Sequence, residues 1–220
     1  MRRTLQFVSA AVFCLCVTVV VSAQQPTEPT KAKPAAQPAA KETPSSTAAA
    51  EIGKPAPGFT LKDLDGKEHK LVDYKGKVVV IEWSNHQCPF CQRHAKQNTA
   101  GQVLKKFEGK PVVWIGVDSS NFAAEKSKDI ASWKTENKLG YPILIDKGGA
   151  TGKAYGAKTT PHMFVIDQKG TLVYTGAIDD DPTGTKDNDR SYVAEAIEAT
   201  LAGTAVPTAK TDPYGCSVKY

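Results

Sequence analysis

Val78-Val79-Val80-Ile81-Glu82-Trp83-Ser84-Asn85-His86-Gln87-Cys88-Pro89-Phe90-Cys91 is the stretch that decides the fold. Its first six residues form a β-branched and aromatic run, too short for a helix, bounded by Lys75-Gly76-Lys77 and by Ser84-Asn85. Such a run predicts a strand covered on both faces. The Cys-x-x-Cys that follows falls where this strand gives way to a helix. A cysteine at a helix start meets unpaired backbone N–H groups and the positive end of the helix dipole, and both favour thiolate over thiol. His86, Arg93, His94 and Lys96 are expected to add positive charge nearby. Cys88 is therefore the expected attacking sulfur, and Cys91, one turn further in, the thiol that resolves the mixed disulfide. A purely structural bridge over so short a loop would remove little entropy from the unfolded chain.

Working outward, Val112-Val113-Trp114-Ile115-Gly116-Val117 and Met163-Phe164-Val165-Ile166 read as further buried strands. Leu172-Val173-Tyr174-Thr175-Gly176 pairs with the latter through Asp167-Gln168-Lys169-Gly170, a hairpin signature. Phe59-Thr60-Leu61 and His69-Lys70-Leu71-Val72 flank Asp65-Gly66 and predict a second hairpin. Between the strands lie three helical patterns. One follows Cys91 with Ala95, Val103, Leu104 and Phe107 on one face, weakened at Gly101; the others run from Lys126 to Asn137 and from Ser191 to Leu201. Strands alternating with helices imply an α/β class, a mixed sheet between two helical layers.

The chain has 220 residues, 40% of them apolar, and a formal charge of +5, enough for one domain with a real core. Met1-Arg2-Arg3, an apolar run from Leu5 to Val21 and Val21-Ser22-Ala23 make residues 1–23 a signal peptide, so the protein is expected to be periplasmic or secreted. The alternative is a retained membrane anchor, the run being at the short limit for a span. Neither Cys14 nor Cys16 has the preceding small residues that lipid attachment needs. Setting Arg2 and Arg3 aside leaves a balance of +3, 26 against 23, spread along the chain, which argues against nucleic acid as a partner. Residues 24–50, rich in Pro and Ala without aromatics or branched aliphatics, read as a disordered linker. The folded domain is placed at 51–206, followed by a tail, 207–220, that carries Cys216.

Beyond the Cys-Pro-Phe-Cys motif, the sequence shows Gly53-Lys54-Pro55-Ala56-Pro57-Gly58-Phe59, Tyr141-Pro142-Ile143-Leu144-Ile145-Asp146, Ala154-Tyr155-Gly156 and Thr159-Thr160-Pro161-His162-Met163-Phe164-Val165-Ile166-Asp167 in that order. From Ile52 to Gly203 the chain resembles the thioredoxin superfamily, specifically the redoxin (AhpC/TSA) group and exported thiol-disulfide oxidoreductases. The resemblance implies a thioredoxin-like three-layer α/β/α sandwich, with Asn121 to Lys138 and the Tyr141 strand as a redoxin-type insertion. It implies a cis bond at Pro161 facing the active-site disulfide, and Thr160 offering its backbone to a substrate strand. Pro89 and Phe90 join them as substrate-binding residues. Glu82, costly to bury because desolvation raises its pKa, matches the place of a buried acid that moves the proton of the second cysteine. Its alternative is a strand-edge residue reaching solvent or pairing with a nearby lysine. The implied partners are protein thiols and disulfides and a redox partner protein, with no cofactor beyond the Cys88–Cys91 disulfide.

Rival readings rest on other residues. A peroxiredoxin-like peroxidase would use Cys88 on peroxide, yet Asn85 and Ile81 stand where that family keeps its Thr or Ser and its Pro. Cys216, between Gly215 and Ser217, reads either as an additional redox thiol kept mobile by its neighbours or as an incidental thiol or dimer cross-link. His86, Cys88, Cys91 and His94 are ligand types for a metal carrier, but no metal is expected without convergence. Asp179 to Arg190 mimics a calcium loop but has Arg190 where the closing Glu belongs, which leaves a solvated acidic loop. His162 reads as a packing residue or a substrate contact.

Overall fold

The computed structural model describes residues 50–186 and 190–220. The signal and nearly all of the linker expected at the N-terminus lie outside the described residues. Among those described, the main sheet takes strands β1 (Thr60–Asp63), β2 (Glu68–Lys70), β3 (Val78–Trp83), β4 (Val112–Asp118), β5 (Ile143–Ile145), β7 (His162–Ile166) and β8 (Leu172–Gly176), in the order β2-β1-β5-β4-β3-β7-β8. A separate two-stranded sheet pairs β6 (Thr159–Thr160) with β9 (Cys216–Ser217). β3 runs parallel to β4, and β4 to β5, while β7, β8, β1 and β2 are added antiparallel. The sheet is thus mixed, as the alternation of elements implies.

Every residue of β3 is buried, so the β-branched run of residues 78–83 is the strand covered on both faces that its composition predicts. Its side chains alternate between two cores. Val78 and Val80 face one with Trp114, Met163 and Val165, closed by residues of α1 (Pro89–Lys96), α2 (Thr99–Lys106), α3 (Ser127–Glu136) and α5 (Tyr192–Ala202). Val79, Ile81 and Trp83 face the other, closed by Tyr155 of the six-residue α4 (Ala150–Tyr155), by Leu71 and Tyr74 of a 3₁₀ turn, and by Ala50, Ala56 and Val218. The three layers are therefore unequal. Period-two alternation places Glu82 on the same side as Val80, under the helix that carries the cysteines.

Both hairpins form where their turn residues stand. Asp63 Oδ1 accepts the N–H groups of Asp65 and Lys67 at 3.0 and 2.9 Å, and Asp167 Oδ1 those of Lys169 and Thr171 at 2.9 and 2.8 Å.

Two local readings change. The single helix expected after Cys91 is two, broken at Asn98, which adopts a left-handed conformation (φ 52°) that Asn tolerates better than most residues. A Cβ at Gly101 would lie 2.3 Å from Asn98 Oδ1, so the glycine that weakens a continuous helix makes room for the break. The loop from Asp179 is solvated only in part: Asp179 and Asp181 are buried, whereas residues 182–186 are exposed. Burial alone would raise the Asp181 pKa, but N–H groups of Lys186 and Gly184 and the Thr183 hydroxyl hold it below the carboxylate range.

Candidate active site

Cys88 caps the N-terminus of α1, with Pro89 at the first helical position and Cys91 one turn in. Cys88 is 4% exposed and Cys91 1%, and both are free thiols. In its protonated form Cys88 Sγ donates to the Thr160 carbonyl at 2.9 Å. The sulfur does not close a full capping bond, yet donors converge on its anion. The Cys91 thiol lowers the Cys88 pKa most; burial opposes it, and the Thr160 hydroxyl and the N–H groups of Cys91 and Cys216 add to the lowering. Cys91 is pushed the other way, first by burial, then by its hydrogen bond to Cys88 and the charge of Glu82. The pair is polarised into one anionic and one protonated sulfur.

The expected positive charges do not supply this. Arg93 turns away to the carbonyls of Pro182 and Asp181, both at 2.9 Å, and to the Tyr214 hydroxyl at 3.3 Å. Burial and the Arg93 charge push the His94 pKa down to about 4, so its ring is neutral near pH 7. Among the described residues no group of three or more His, Cys, Asp or Glu side chains is arranged to hold a metal. His94 instead meets the hydroxyls of Thr99 and Tyr214, and His86 stacks edgewise on Phe122.

Glu82 is 4% exposed, six residues before Cys88 on the buried strand β3. Its Oε2 accepts the indole N–H of Trp114 at 2.9 Å and the Tyr141 hydroxyl at 3.3 Å, and among the described residues no lysine pairs with it. Burial raises its pKa to about 7, against the lowering pull of these two donors. Glu82 stands opposite Gly116 in the β3–β4 register, and the Tyr141 ring passes within 3.4 Å of where a Gly116 Cβ would be. Trp114 and Tyr141 are site residues that sequence spacing did not single out. Both sit in hydrophobic runs, where an aromatic reads as packing.

The Thr160–Pro161 bond is cis. Thr160 and Pro161 are buried beside Cys88, whereas Pro89 is exposed and Phe90 half-buried against Tyr214, ring centroids 5.9 Å apart. His162 packs inside, bonded to Thr175 and lying on Phe164, with its pKa lowered to about 4 by burial and by Lys158.

Cys216 is where the geometry departs from the reading of a mobile thiol. Residues 213–220 dock along the body. Tyr214 donates to Asp179 and meets His94 Nε2 at 3.0 Å; Lys219 O accepts Asn121 N–H at 2.7 Å; Tyr220 donates to Ala157 O at 2.9 Å. Cys216 lies opposite Thr160 in the β6–β9 pair. The strand edge read as a partner's docking place is filled by the chain's own C-terminus. The alternation of Tyr214, Cys216, Val218 and Tyr220 is the strand signal present there.

The family model described as the AhpC/TSA family matches residues 52–175. The thiol-disulfide oxidoreductase ResA of Bacillus thuringiensis is 33% identical over 123 residues, 56% of this chain and 68% of that protein. A crystal structure of an uncharacterized conserved protein from Geobacillus kaustophilus superposes with a TM-score of 0.69 at 26% identity, covering 77% of this chain and 92% of that one. The thioredoxin domain of a Bacteroides vulgatus thiol-disulfide oxidoreductase aligns with a TM-score of 0.50 at 22% identity, over 57% of this chain and 87% of its own.

Proposed function

The chain belongs to the AhpC/TSA family and is an oxidoreductase, and from that premise we propose an exported enzyme that exchanges disulfides with protein partners through Cys88 and Cys91. One observation carries this reading: a buried sulfur at a helix start, held toward its anion, sits beside a second thiol held toward its protonated form.

The Cys88 thiolate attacks one sulfur of a partner disulfide. A Cys88–partner bond forms, the partner's own S–S bond breaks, and its second sulfur leaves as thiolate to be protonated by water. Glu82 takes the Cys91 proton, and the Cys91 thiolate attacks Cys88 Sγ, forming the Cys88–Cys91 disulfide and expelling the partner's first sulfur. Two electrons pass from the pair to the partner. Run in reverse, a partner dithiol reduces the disulfide and Glu82 returns the proton to Cys91. A pKa near 7 suits a group that must both accept and donate. Exposed Pro89 and half-buried Phe90 lie where the partner meets the site, and its chain reaches Thr160 and Pro161, buried beside the sulfur, once β9 lifts from β6. The redox-active disulfide is the only prosthetic group required, and a second redox protein resets it. Residues 1–23 direct the chain to the periplasm or outside the cell.

Insulin reduction by dithiothreitol tests this. Wild type accelerates precipitation of the insulin B chain, and Cys88→Ser leaves it at the uncatalysed rate. Equal rates for the two proteins overturn the proposal.

A further inference from the structure

β6 is two residues long and pairs only with β9 among the described strands. The carbonyl of Thr160 contacts Cys88 Sγ, and the residue opposite Thr160 is Cys216. The approach is close by construction: Gly215 has φ 135°, and a Cβ there would lie 2.1 Å from Thr160 O and 2.7 Å from Thr160 C. Thr160 Oγ1 also reaches the Cys216 carbonyl at 3.4 Å. On either side the strand is tied down, by Tyr214 to α1 and the Asp179 loop, and by Val218 N–H to Lys158 O at 3.0 Å. An extended segment added to a free strand edge is a general mode of peptide recognition. Here that position, beside the reactive sulfur, holds a cysteine-bearing strand of the same chain.

We propose that residues 214–218 form an internal substrate strap, and that Cys216 is a second disulfide partner of Cys88, competing with Cys91. This deepens the exchange reading and rests on it. The oxidised Cys88–Cys91 form supplies the oxidising equivalents. The Cys216 thiolate, its proton released to water, attacks Cys88 Sγ; the Cys88–Cys216 bond forms, the Cys88–Cys91 bond breaks, and the Cys91 thiolate takes a proton from Glu82. No net redox change occurs. Burial and the neighbouring Cys88 raise the Cys216 pKa, so rising pH supplies more of the attacking thiolate while it removes the Glu82 proton that the leaving Cys91 takes up, and the exchange is fastest between the two titrations. The strap-linked form holds β9 on β6 and bars a partner from that edge; reduction, or attack by Cys91, reopens it.

The test equilibrates full-length wild type, Cys91→Ser and Cys91→Ser/Gly215→Val with glutathione buffers of increasing oxidised fraction, followed by acid quench, alkylation and peptide mass spectrometry. In Cys91→Ser the peptide linking Cys88 to Cys216 is expected to exceed the Cys88–glutathione adduct at least tenfold. Gly215→Val, which displaces the strap without altering any reacting group, is expected to reverse that ratio. Wild type is expected to show the Cys88–Cys216 peptide beside the Cys88–Cys91 form. A Cys91→Ser protein whose Cys88 carries glutathione while Cys216 stays free overturns the proposal, and so does a wild type without the linked peptide. A Cys88 that forms no bond in any of the three overturns the exchange reading as well, which separates the two failures.

Discussion

Two thiols flank one sulfur, and they are held by different kinds of structure. Cys91 sits inside a helix, 1% exposed, its place set by helix geometry and by the core behind it. Cys216 sits in a two-residue strand near the end of the chain, half-buried, held by a few hydrogen bonds and by aromatic side chains anchored on either side. The first cannot leave without unfolding the helix start. The second can, because the segment that carries it adds only short pairing to the edge of the fold. The difference teaches that proximity to a reactive group comes in a permanent form and a detachable one, and that only the detachable one can be displaced by a partner.

The sharpest way to break the comparison is Cys91→Ser. Single-turnover attack by Cys88 is expected to survive while multiple turnover in the insulin assay falls roughly 1,000-fold, since the mixed disulfide then waits on Cys216 or on external thiol. Turnover equal to wild type would show the two thiols to be interchangeable. Glu82→Gln comes next. The resolving step is expected to slow roughly 100-fold and to lose its pH dependence around 7. In wild type the attack by Cys91 speeds up as Glu82 deprotonates, and the reverse opening of the disulfide slows. An unchanged pH profile in the Gln variant would remove Glu82 from proton transfer.

The same carboxyl makes a stability prediction. Its folded pKa is raised from 4.5 to about 7, so its stabilising contribution is complete below pH 4.5 and is lost as pH rises toward 7. The loss is on the order of 3 kcal/mol, at about 1.4 kcal/mol per pKa unit. His94 and His162, lowered from 6.5 to about 4, act in the opposite sense, their contribution being lost as pH falls from 6.5. Urea unfolding of reduced wild type and of Glu82→Gln at pH 4.5 and 7 isolates the Glu82 part by difference. The gap between the two proteins is expected to change by that amount, in favour of the variant at pH 7, and a constant gap contradicts the burial argument.

Tyr214→Phe gives the smallest effect. It removes the hydroxyl that meets Asp179, His94 and Arg93, at a cost of about 1–3 kcal/mol for the hydrogen bonds lost. Because the loss falls on the strap, iodoacetamide is expected to modify Cys88 severalfold faster while far-UV circular dichroism is unchanged. An unaltered rate would show that Tyr214 does not hold the strap down.

Legibility in the sequence follows the same division. β3, β4, β7 and β8 are continuous apolar runs, and Cys88, Cys91 and Glu82 stand within or directly after one of them, so local pattern suffices to place them. The break at Asn98 is not legible, because it depends on a left-handed residue whose side chain needs Gly101 beneath it. The donors to Glu82 come from residues 32 and 59 positions away, brought together by strand register and not by spacing. The neutral state of His94 is hidden for the same reason: its burial depends on the distant Asp179 loop and on Tyr214. The docking of the last eight residues is the largest departure, since two residues of strand are too few to raise a run and Gly215 signals freedom where the fold uses it for closeness.

That closeness has a further consequence for a thiolate that meets an oxidant. A sulfur anion open to solvent climbs irreversibly to sulfinic and sulfonic acids. With Cys88 roofed by backbone and side chains down to a few per cent of its surface, small oxidants reach it only when the roof lifts, and a neighbouring thiol is then at hand to capture the first, still reversible, product. The lid at the end of the chain thus doubles as protection for the atom it covers.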